Sequence, residues 1–192
     1  MRRFLANFTL IALLLVVVSG CAATPVAPTA VPTSDHSSMS GMDHATMPAD
    51  TTQPYDALFI DSMIIHHEGA ITMAKQALNE TETPAIRELA TAIIAAQEAE
   101  IAQMKAWRTA WFPDLPATSG LSIDMGPMSV ADDASKPFDQ RFAEAMIPHH
   151  EGAIMMAKDA LQKSQRQEIK ALSQAIITTQ EAEITLMRTW LP

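Results

Sequence analysis

The chain has 192 residues, a formal net charge of -9 and 48% hydrophobic residues. This length suits one compact domain with tails and excludes two large domains. The acidic balance also argues against a nucleic-acid partner, because the phosphate backbone is bound through an excess of Lys and Arg.

Residues 1–21 have the form of a lipoprotein signal peptide. Arg2 and Arg3 precede an apolar run that is too short for a comfortable transmembrane helix, and the run ends in Val-Ser-Gly-Cys at Cys21, the only cysteine. We therefore expect an exported protein that starts at Cys21, is anchored there to a membrane through lipid, and faces the periplasm or the cell exterior. Loss of Arg2 and Arg3 changes the net charge from -9 to -11. An uncleaved anchor with a chance cysteine is the alternative.

Residues 22–54 predict a disordered tether, because they are rich in Pro, Thr, Ser and Ala and contain hardly any large apolar side chain. Within the tether, residues 35–47 concentrate histidine and methionine, and we call this segment the Met/His strip. Both residue types bind copper and silver, and a flexible chain can fold around an ion, so the strip is a candidate metal-collecting arm. A solvated linker with incidental Met and His is the alternative. The candidate ligands are His36, Met39, Met42, His44 and Met47.

An internal repeat fills the rest of the chain. Residues 56–107 align with residues 139–190 at a constant offset of 83 and without a gap, and about half of the aligned positions are identical. The motif HHEGAI occurs in both copies, followed by MAK, and QEAEI also occurs in both, followed by Met and Trp. The second half of the folded region is therefore a duplicate of the first.

Each copy predicts a helical hairpin. Apolar and small residues recur at helical spacing, strand-like alternation is absent, and the first copy has a break near residues 79–84. The hairpins cover residues 55–111 and 138–192, and the linker between them, residues 112–137, contains prolines, glycines, Met125 and Met128. Two hairpins predict an all-α four-helix bundle with internal pseudo-twofold symmetry.

A helical wheel places two histidines beside one inward methionine. With about 100° per residue, His67 lies about 40° to one side of Met63 and His66 about 60° to the other. Buried imidazoles cost free energy unless they are paired or ligated, so we predict one metal site in each hairpin. Structural histidines among core methionines are the alternative, and we assign Met73, Met155 and Met156 to the core. The candidate ligands in this arrangement are Met63, His66, His67, Met146, His149 and His150, with Met104 and Met187 facing them from the second helix of each hairpin, and the candidate residues around them are Asp56, Gln97, Glu100, Asp139, Gln180 and Glu183.

Two kinds of enzyme are disfavoured by missing motifs. Neither copy contains the Glu-x-x-His pair of carboxylate di-iron bundles, and His67-Glu68 is not followed by the second histidine of a zinc protease. We therefore expect a metal-binding protein without catalytic activity. A copper-dependent oxidase and a structural or adaptor lipoprotein remain the alternatives.

The repeated HHEGAI-MA and Q-EI-M-W patterns resemble the ferritin-like family known as domain of unknown function 305, which includes CopM-like copper-binding proteins. The resemblance covers residues 55–112 and 138–192. It implies a helical bundle outside the cytoplasm that binds Cu(I) or Cu(II), and also silver, through the Met and His residues named above. Copper buffering, sequestration or relay would then be its role in copper homeostasis, with a homo-oligomer or a metal-transfer partner as open alternatives.

Overall fold

A computed structural model describes residues 53–192, and within them the chain forms four helices and no strand. The helices are α1 (Tyr55–Glu80), α2 (Pro84–Trp111), α3 (Phe138–Lys163) and α4 (Gln167–Arg188). The predicted all-α bundle of two duplicated hairpins is confirmed. The predicted signal peptide, Cys21 and the Met/His strip lie outside the described residues.

Prolines mark the starts of three helices. Pro54 and Pro137 immediately precede α1 and α3, and Pro84 is the first residue of α2. Proline suits these positions because its fixed φ matches the first helical turn and its missing N–H would have no partner there. Asp56 and Asp139 follow in the first turns, where a carboxylate interacts favourably with the helix dipole.

The two copies fold in the same register. Helices α1 and α3 each have 26 residues, and their ends are 83 positions apart, as are the first residues of α2 and α4. Helix α1 packs on α2, α3 packs on α4, and the hairpins meet through α1 and α3. The backbones of helices α2 and α4 approach each other closely at few positions. The two HHEGAI motifs therefore lie on the central pair of helices.

Methionines form part of the core at equivalent positions in both hairpins. Met63, Met104, Met146 and Met187 are fully buried, as are Phe59 and Phe142. Complete burial of a side chain of this size contributes about 1.5–3 kcal/mol relative to exposure.

The assignment of Met155 to the core was wrong. Met73 and Met156 are fully buried as predicted, but Met155 is 52% exposed. It precedes Met156 by one residue, which turns its side chain about 100° from the inward direction. The equivalent position in the first copy is the polar residue Thr72.

Helix α3 continues through an internal proline. Pro148 lies directly before His149 and replaces Ile65 of the first copy. It has no N–H to donate to the carbonyl of Glu144, so α3 lacks one helical hydrogen bond that α1 can make. This is a local difference between two otherwise matching helices.

The linker crosses the central helices. The guanidinium of Arg108 donates to Asp61 at 2.9 Å and to the carbonyls of Leu115 and Pro116, and the same aspartate accepts from the backbone N–H of Thr118. These contacts fix the start of the linker against the first hairpin.

None of the four described helices has an apolar run that is long enough to cross a bilayer.

Candidate metal centre

The second histidine of each motif contacts a glutamate on the partner helix of its hairpin. His67 Nε2 lies 2.7 Å from Glu100 Oε2, and the histidine is fully buried. A carboxylate only accepts hydrogen bonds, so we assign the ring proton to Nε2, which leaves a lone pair on Nδ1. That Nδ1 is buried without a hydrogen-bond partner among the described residues.

The second hairpin repeats this arrangement. His150 Nε2 lies 2.7 Å from Glu183 Oε2, and the Nδ1 of His150 is likewise buried and unpaired among the described residues. Ligating histidines usually donate their other ring N–H to a carboxylate, which fixes the tautomer and raises the basicity of the ligating nitrogen. Each outer histidine, as we call His67 and His150, is thus prepared to bind a metal through Nδ1.

Buried methionines lie on the same stretch of each hairpin. Met63 precedes His67 by one helical turn, and Met104 follows Glu100 by one turn on the facing helix. Both thioethers are fully buried, as are Met146 and Met187 in the second copy. Each hairpin therefore combines one oriented imidazole with two buried thioethers.

The first histidine of each motif does not join its hairpin neighbours. His66 and His149, which we call the inner histidines, stack on each other across the contact between α1 and α3, with ring centroids 3.7 Å apart and planes at 40°. Both are fully buried, and none of their four ring nitrogens has a hydrogen-bond partner among the described residues. The sequence grouped each of them with the outer histidine of its own hairpin, whereas the structure pairs them with each other.

Burial keeps the inner histidines neutral. Burial, and after it the nearby imidazoles of His67 and His150, lower the pKa of His66 to about 3. Burial is also the main cause that lowers the pKa of His149 to about 2, and the neighbouring imidazole of His66 is the second cause. Backbone groups of Met125 and His149 approach the His66 ring and offset a little of its shift, but neither makes a hydrogen bond of ordinary geometry. Both imidazoles keep their lone pairs at neutral pH, which is the form that binds metals.

The glycine of each motif makes room for the inner histidine of the other motif. A Cβ on Gly69 would lie 3.1 Å from His149 Nε2, and a Cβ on Gly152 would lie 3.2 Å from His66 Nε2. Both distances are tighter than ordinary contacts. The fourth position of HHEGAI is therefore small because the two motifs pack against each other. Repetition of the glycine in both copies was the sequence signal for this contact.

The linker covers the inner histidines, and the sequence did not assign it to the site. The carbonyl oxygen of Asp124 and the carbonyl carbon of Met125 each lie 3.2 Å from the position of a Gly152 Cβ. Gly126 has a φ of 68° and lies so close to the backbone of Pro148 and His149 that a Cβ there would be within 3.0 Å of it. The Met128 thioether packs against Gly69. The available sequence signal for this part of the site was the pair Met125 and Met128, which flank Gly126 and Pro127 in the linker.

Two glutamines lie near the outer histidines. Gln97 and Gln180 are 3% exposed and line a narrow cleft between α2 and α4, together with Glu100 and Glu183. The side-chain carbonyl oxygens of both glutamines lack hydrogen-bond partners among the described residues. The cleft therefore brings four oxygen-bearing side chains from both hairpins to the edge of the site.

Asp56 and Asp139 make contacts elsewhere. Asp139 accepts hydrogen bonds from the hydroxyls of Thr81 and Thr83 in the turn of the first hairpin, and Asp56 lies 3.5 Å from Arg166 in the turn of the second. Each aspartate thus connects the start of one hairpin to the turn of the other. Their described contacts do not include a histidine.

Histidine, cysteine, aspartate and glutamate side chains alone do not form a metal site in residues 53–192. No three side chains drawn from His, Cys, Asp and Glu converge in a way that could hold an ion.

Comparison with known proteins identifies a family and related structures. The sequence profile described as "Domain of unknown function (DUF305)" matches residues 19–108 and 121–191. Solved structures of CopM in the Cu(I)-bound and Ag-bound forms are each 39% identical, cover 72% of this chain and 96% of the CopM chain, and superpose with a TM-score of 0.61. The Cu(II)-bound form of CopM is 40% identical over 70% of this chain and 95% of its own, with a TM-score of 0.60.

Two further relatives extend the comparison. A DUF305 protein from Streptomyces coelicolor is 27% identical over 69% of this chain and 88% of its own, with a TM-score of 0.60. The uncharacterized protein L153 of Acanthamoeba polyphaga mimivirus is 47% identical over 49 residues. That match spans 26% of this chain and about a third of the viral protein.

Proposed function

This chain belongs to the DUF305 family, and on that premise we propose that it is an exported copper-binding protein that holds Cu(I), and also Ag(I), through methionine and histidine. One observation carries the proposal. In both hairpins a fully buried histidine is oriented by a glutamate at 2.7 Å, keeps a buried Nδ1 that is unpaired among the described residues, and follows a fully buried methionine by one helical turn.

A metal ion is the ligand that fits this arrangement. A buried lone pair without a partner costs free energy, and an apolar ligand would leave it unpaired. In the first hairpin His67, Met63 and Met104 would hold the ion, while Glu100 would hold the ring of His67 in place. In the second hairpin the ion would be held by His150, Met146 and Met187, while Glu183 would hold the ring of His150 in place.

The donor set favours a monovalent soft ion. Thioethers are uncharged and polarisable, so they stabilise Cu(I) and Ag(I) more than Cu(II) or Zn(II). CopM has been solved with Cu(I), with silver and with Cu(II), which supports copper and silver as the ions, and the preference for the monovalent state rests on the thioethers.

We further propose binding without turnover. An oxidase needs open coordination positions and access for its substrate, whereas the proposed methionine and histidine ligands of both hairpins are fully buried. The protein would then buffer, sequester or relay copper outside the membrane that anchors it, and the Met/His strip would collect ions for it.

The test is replacement of the thioethers at constant volume. Met63→Leu combined with Met104→Leu should weaken Cu(I) binding at one site by roughly tenfold or more, which is about 1.4 kcal/mol. A competition titration against a Cu(I) chelator measures this change. The second pair of variants, Met146→Leu with Met187→Leu, should weaken the other site to the same extent.

The chain offers a matched control. Met73→Leu with Met156→Leu also replaces two fully buried methionines, and each such exchange costs less than about 1.5 kcal/mol of stability. This variant should bind Cu(I) like the parent protein. If the site variants also keep the affinity and stoichiometry of the parent, the methionines are core residues and the proposal fails.

A further inference from the structure

The cleft between α2 and α4 is lined by the same positions of both copies. Its lining residues form four pairs whose members are 83 positions apart, namely Ile93 with Ile176, Ala96 with Thr179, Gln97 with Gln180, and Glu100 with Glu183. The cleft therefore lies on the pseudo-twofold axis that relates the two hairpins. A ligand at its centre would contact both copies in the same way.

Each copy contributes two oxygen-bearing side chains to this cleft. Gln97 and Gln180 are 3% exposed, and their side-chain carbonyl oxygens have no hydrogen-bond partner among the described residues. Glu100 and Glu183 contact the outer histidines through Oε2, and no described hydrogen bond or ion pair uses their Oε1. Two amide oxygens and two carboxylates thus share the cleft, and none of its lining residues is Lys or Arg.

This concentration of oxygen atoms destabilises the bundle in the absence of a cation. Two carboxylates in a narrow cleft repel each other, and a buried amide oxygen without a hydrogen bond costs free energy. The cavity volume is about 10 Å³, which is room for a single ion or water molecule. The side chains of Glu100 and Glu183 are 22% and 13% exposed, so water can reach the same place.

We propose that Gln97, Gln180, Glu100 and Glu183 bind one calcium ion, which joins the two hairpins through α2 and α4. Carboxylate and carbonyl oxygens suit hard cations, and the absence of a thioether from the lining residues disfavours Cu(I) and Ag(I) here. Calcium accepts amide and carboxylate oxygens in a flexible geometry and completes its coordination with water, whereas magnesium requires a near-ideal octahedron.

The charges of the cleft match a divalent ion. The two carboxylates together carry the charge that one Ca²⁺ balances, while the glutamines add ligands without adding charge. The backbones of α2 and α4 approach each other closely at few positions, so an ion between them would add a connection that the helices lack. The inference does not depend on the proposed copper function, because it uses neither a methionine nor a histidine nitrogen.

The experiment is a calcium titration of the chain without the predicted signal peptide, with Cys21→Ser, after treatment with a chelator. Calorimetry counts the ions, and the NMR signals of the glutamine side-chain amides report where they bind. We expect one ion with a dissociation constant of about 10⁻⁴–10⁻³ M and shifted amide signals of Gln97 and Gln180. Calcium should also raise the melting temperature, because it binds only the folded state. Magnesium should bind more weakly.

Two pairs of glutamates provide a matched comparison. Glu100→Gln with Glu183→Gln should lower the calcium affinity by at least tenfold and remove most of the rise in melting temperature. Glu98→Gln with Glu181→Gln is the control, since it removes the same charge from the same helices at side chains that are each 55% exposed. The control should bind calcium like the parent.

A second variant tests the glutamines. Gln97→Leu with Gln180→Leu replaces two buried, unpaired amides with apolar side chains, so the metal-free bundle should remain folded. The calcium affinity should nevertheless fall by at least tenfold. This variant keeps the proposal testable if the glutamate variant does not fold.

Three results would overturn the calcium site. The first is no calcium binding by the parent, which would mean that the glutamine amides donate their N–H groups to the carboxylates instead. The second is calcium binding that leaves the signals of Gln97 and Gln180 unshifted. The third is equal affinity of the parent and the glutamine variant. Each of these results would leave the proposed copper sites untouched, because the copper titrations use different variants and a different ion.

Discussion

Neighbouring histidines in one motif have different surroundings. His67 donates to Glu100 at 2.7 Å, whereas both ring nitrogens of His66 are unpaired among the described residues. They are adjacent on α1, and the 100° step of the helix directs one toward α2 and the other toward α3. The repeated His-His pair thus supplies two kinds of imidazole, one oriented by a carboxylate and one packed against its copy.

The first prediction concerns the glutamate that orients the outer histidine. Glu100→Ala should weaken Cu(I) binding in the first hairpin by roughly 10- to 100-fold, because it frees the ring of His67 and leaves its N–H unpaired. Competition titration measures the change. Glu98→Ala is the control, since Glu98 is 55% exposed and pairs only with Lys75 in the described structure. If both variants bind equally well, Glu100 does not support the ligand.

The second prediction concerns acid and the metal-free protein. In the unfolded chain His66 and His149 take up protons near pH 6.5, but in the folded bundle they do so only near pH 3 and pH 2. The unfolded state therefore binds more protons between these values, so the free energy of unfolding is highest above pH 6.5 and falls as the pH decreases.

Urea unfolding in the presence of a chelator checks this dependence. The window from pH 6.5 to pH 5 is informative because ordinary carboxylates titrate below it. The variant His66→Leu with His149→Leu should show a weaker dependence on pH across this window. An unchanged slope in the variant would show that other groups cause the loss of stability.

When the helices and their connections are compared, the two copies differ most clearly at Pro148 in α3 and in the linker between the hairpins. The contacts that the linker makes through Asp61 and Arg108 belong to the first copy alone, because the equivalent residues in the second copy are Glu144 and Leu191. The bundle is thus symmetric in its helices and asymmetric in the segment that covers the inner histidines.

The third prediction concerns the proline inside α3. Pro148→Ala should raise the free energy of unfolding, by up to about 3 kcal/mol, because it restores a hydrogen bond to the carbonyl of Glu144 and removes a helix-breaking ring. Ile65→Ala, at the equivalent position of α1, is the control and should not stabilise. Thermal unfolding of the metal-free protein compares them. A loss of stability in Pro148→Ala would mean that the linker requires the proline at this position.

At the scale of the whole molecule, the folded bundle is one part of an acidic chain. Two hairpins with 83-residue symmetry pack through α1 and α3, and the acidic side chains around the cleft between α2 and α4 attract cations. Cys21 and the Met/His strip precede this bundle in the sequence. We propose that they attach it to a membrane and supply it with ions.

The fourth prediction tests the anchor. Cys21→Ala should yield a precursor that is neither lipidated nor processed at the normal position, because the lipobox cysteine is both the acylation site and the first mature residue. Fractionation, and mass spectrometry of the N-terminus, measure the effect. Normal processing and membrane retention of this variant would contradict the anchor. Ser19→Ala, a conservative change beside the same site, serves as the control.

The sequence by itself determined the helices and their pairing within each hairpin. Helical periodicity is a local property, and the repeat supplied it twice, so the four helices followed from residue spacing. The level of His67 opposite Glu100 also followed, because a short turn fixes the register of two antiparallel helices. The burial of Met63, Met104 and their copies also followed from residue spacing, because they lie on the apolar, inward face of their helices.

Only the tertiary structure decided how the hairpins meet. A helical wheel shows which residues point inward, but it does not show whether the inward neighbour is the partner helix or the other hairpin. For that reason His66 was grouped with His67, although it packs against His149, and Gly69 had no assigned role. The position of Met128 depends on the path of an irregular linker, which has no periodicity from which to infer it. Packing between distant segments therefore decided the arrangement of the inner histidines.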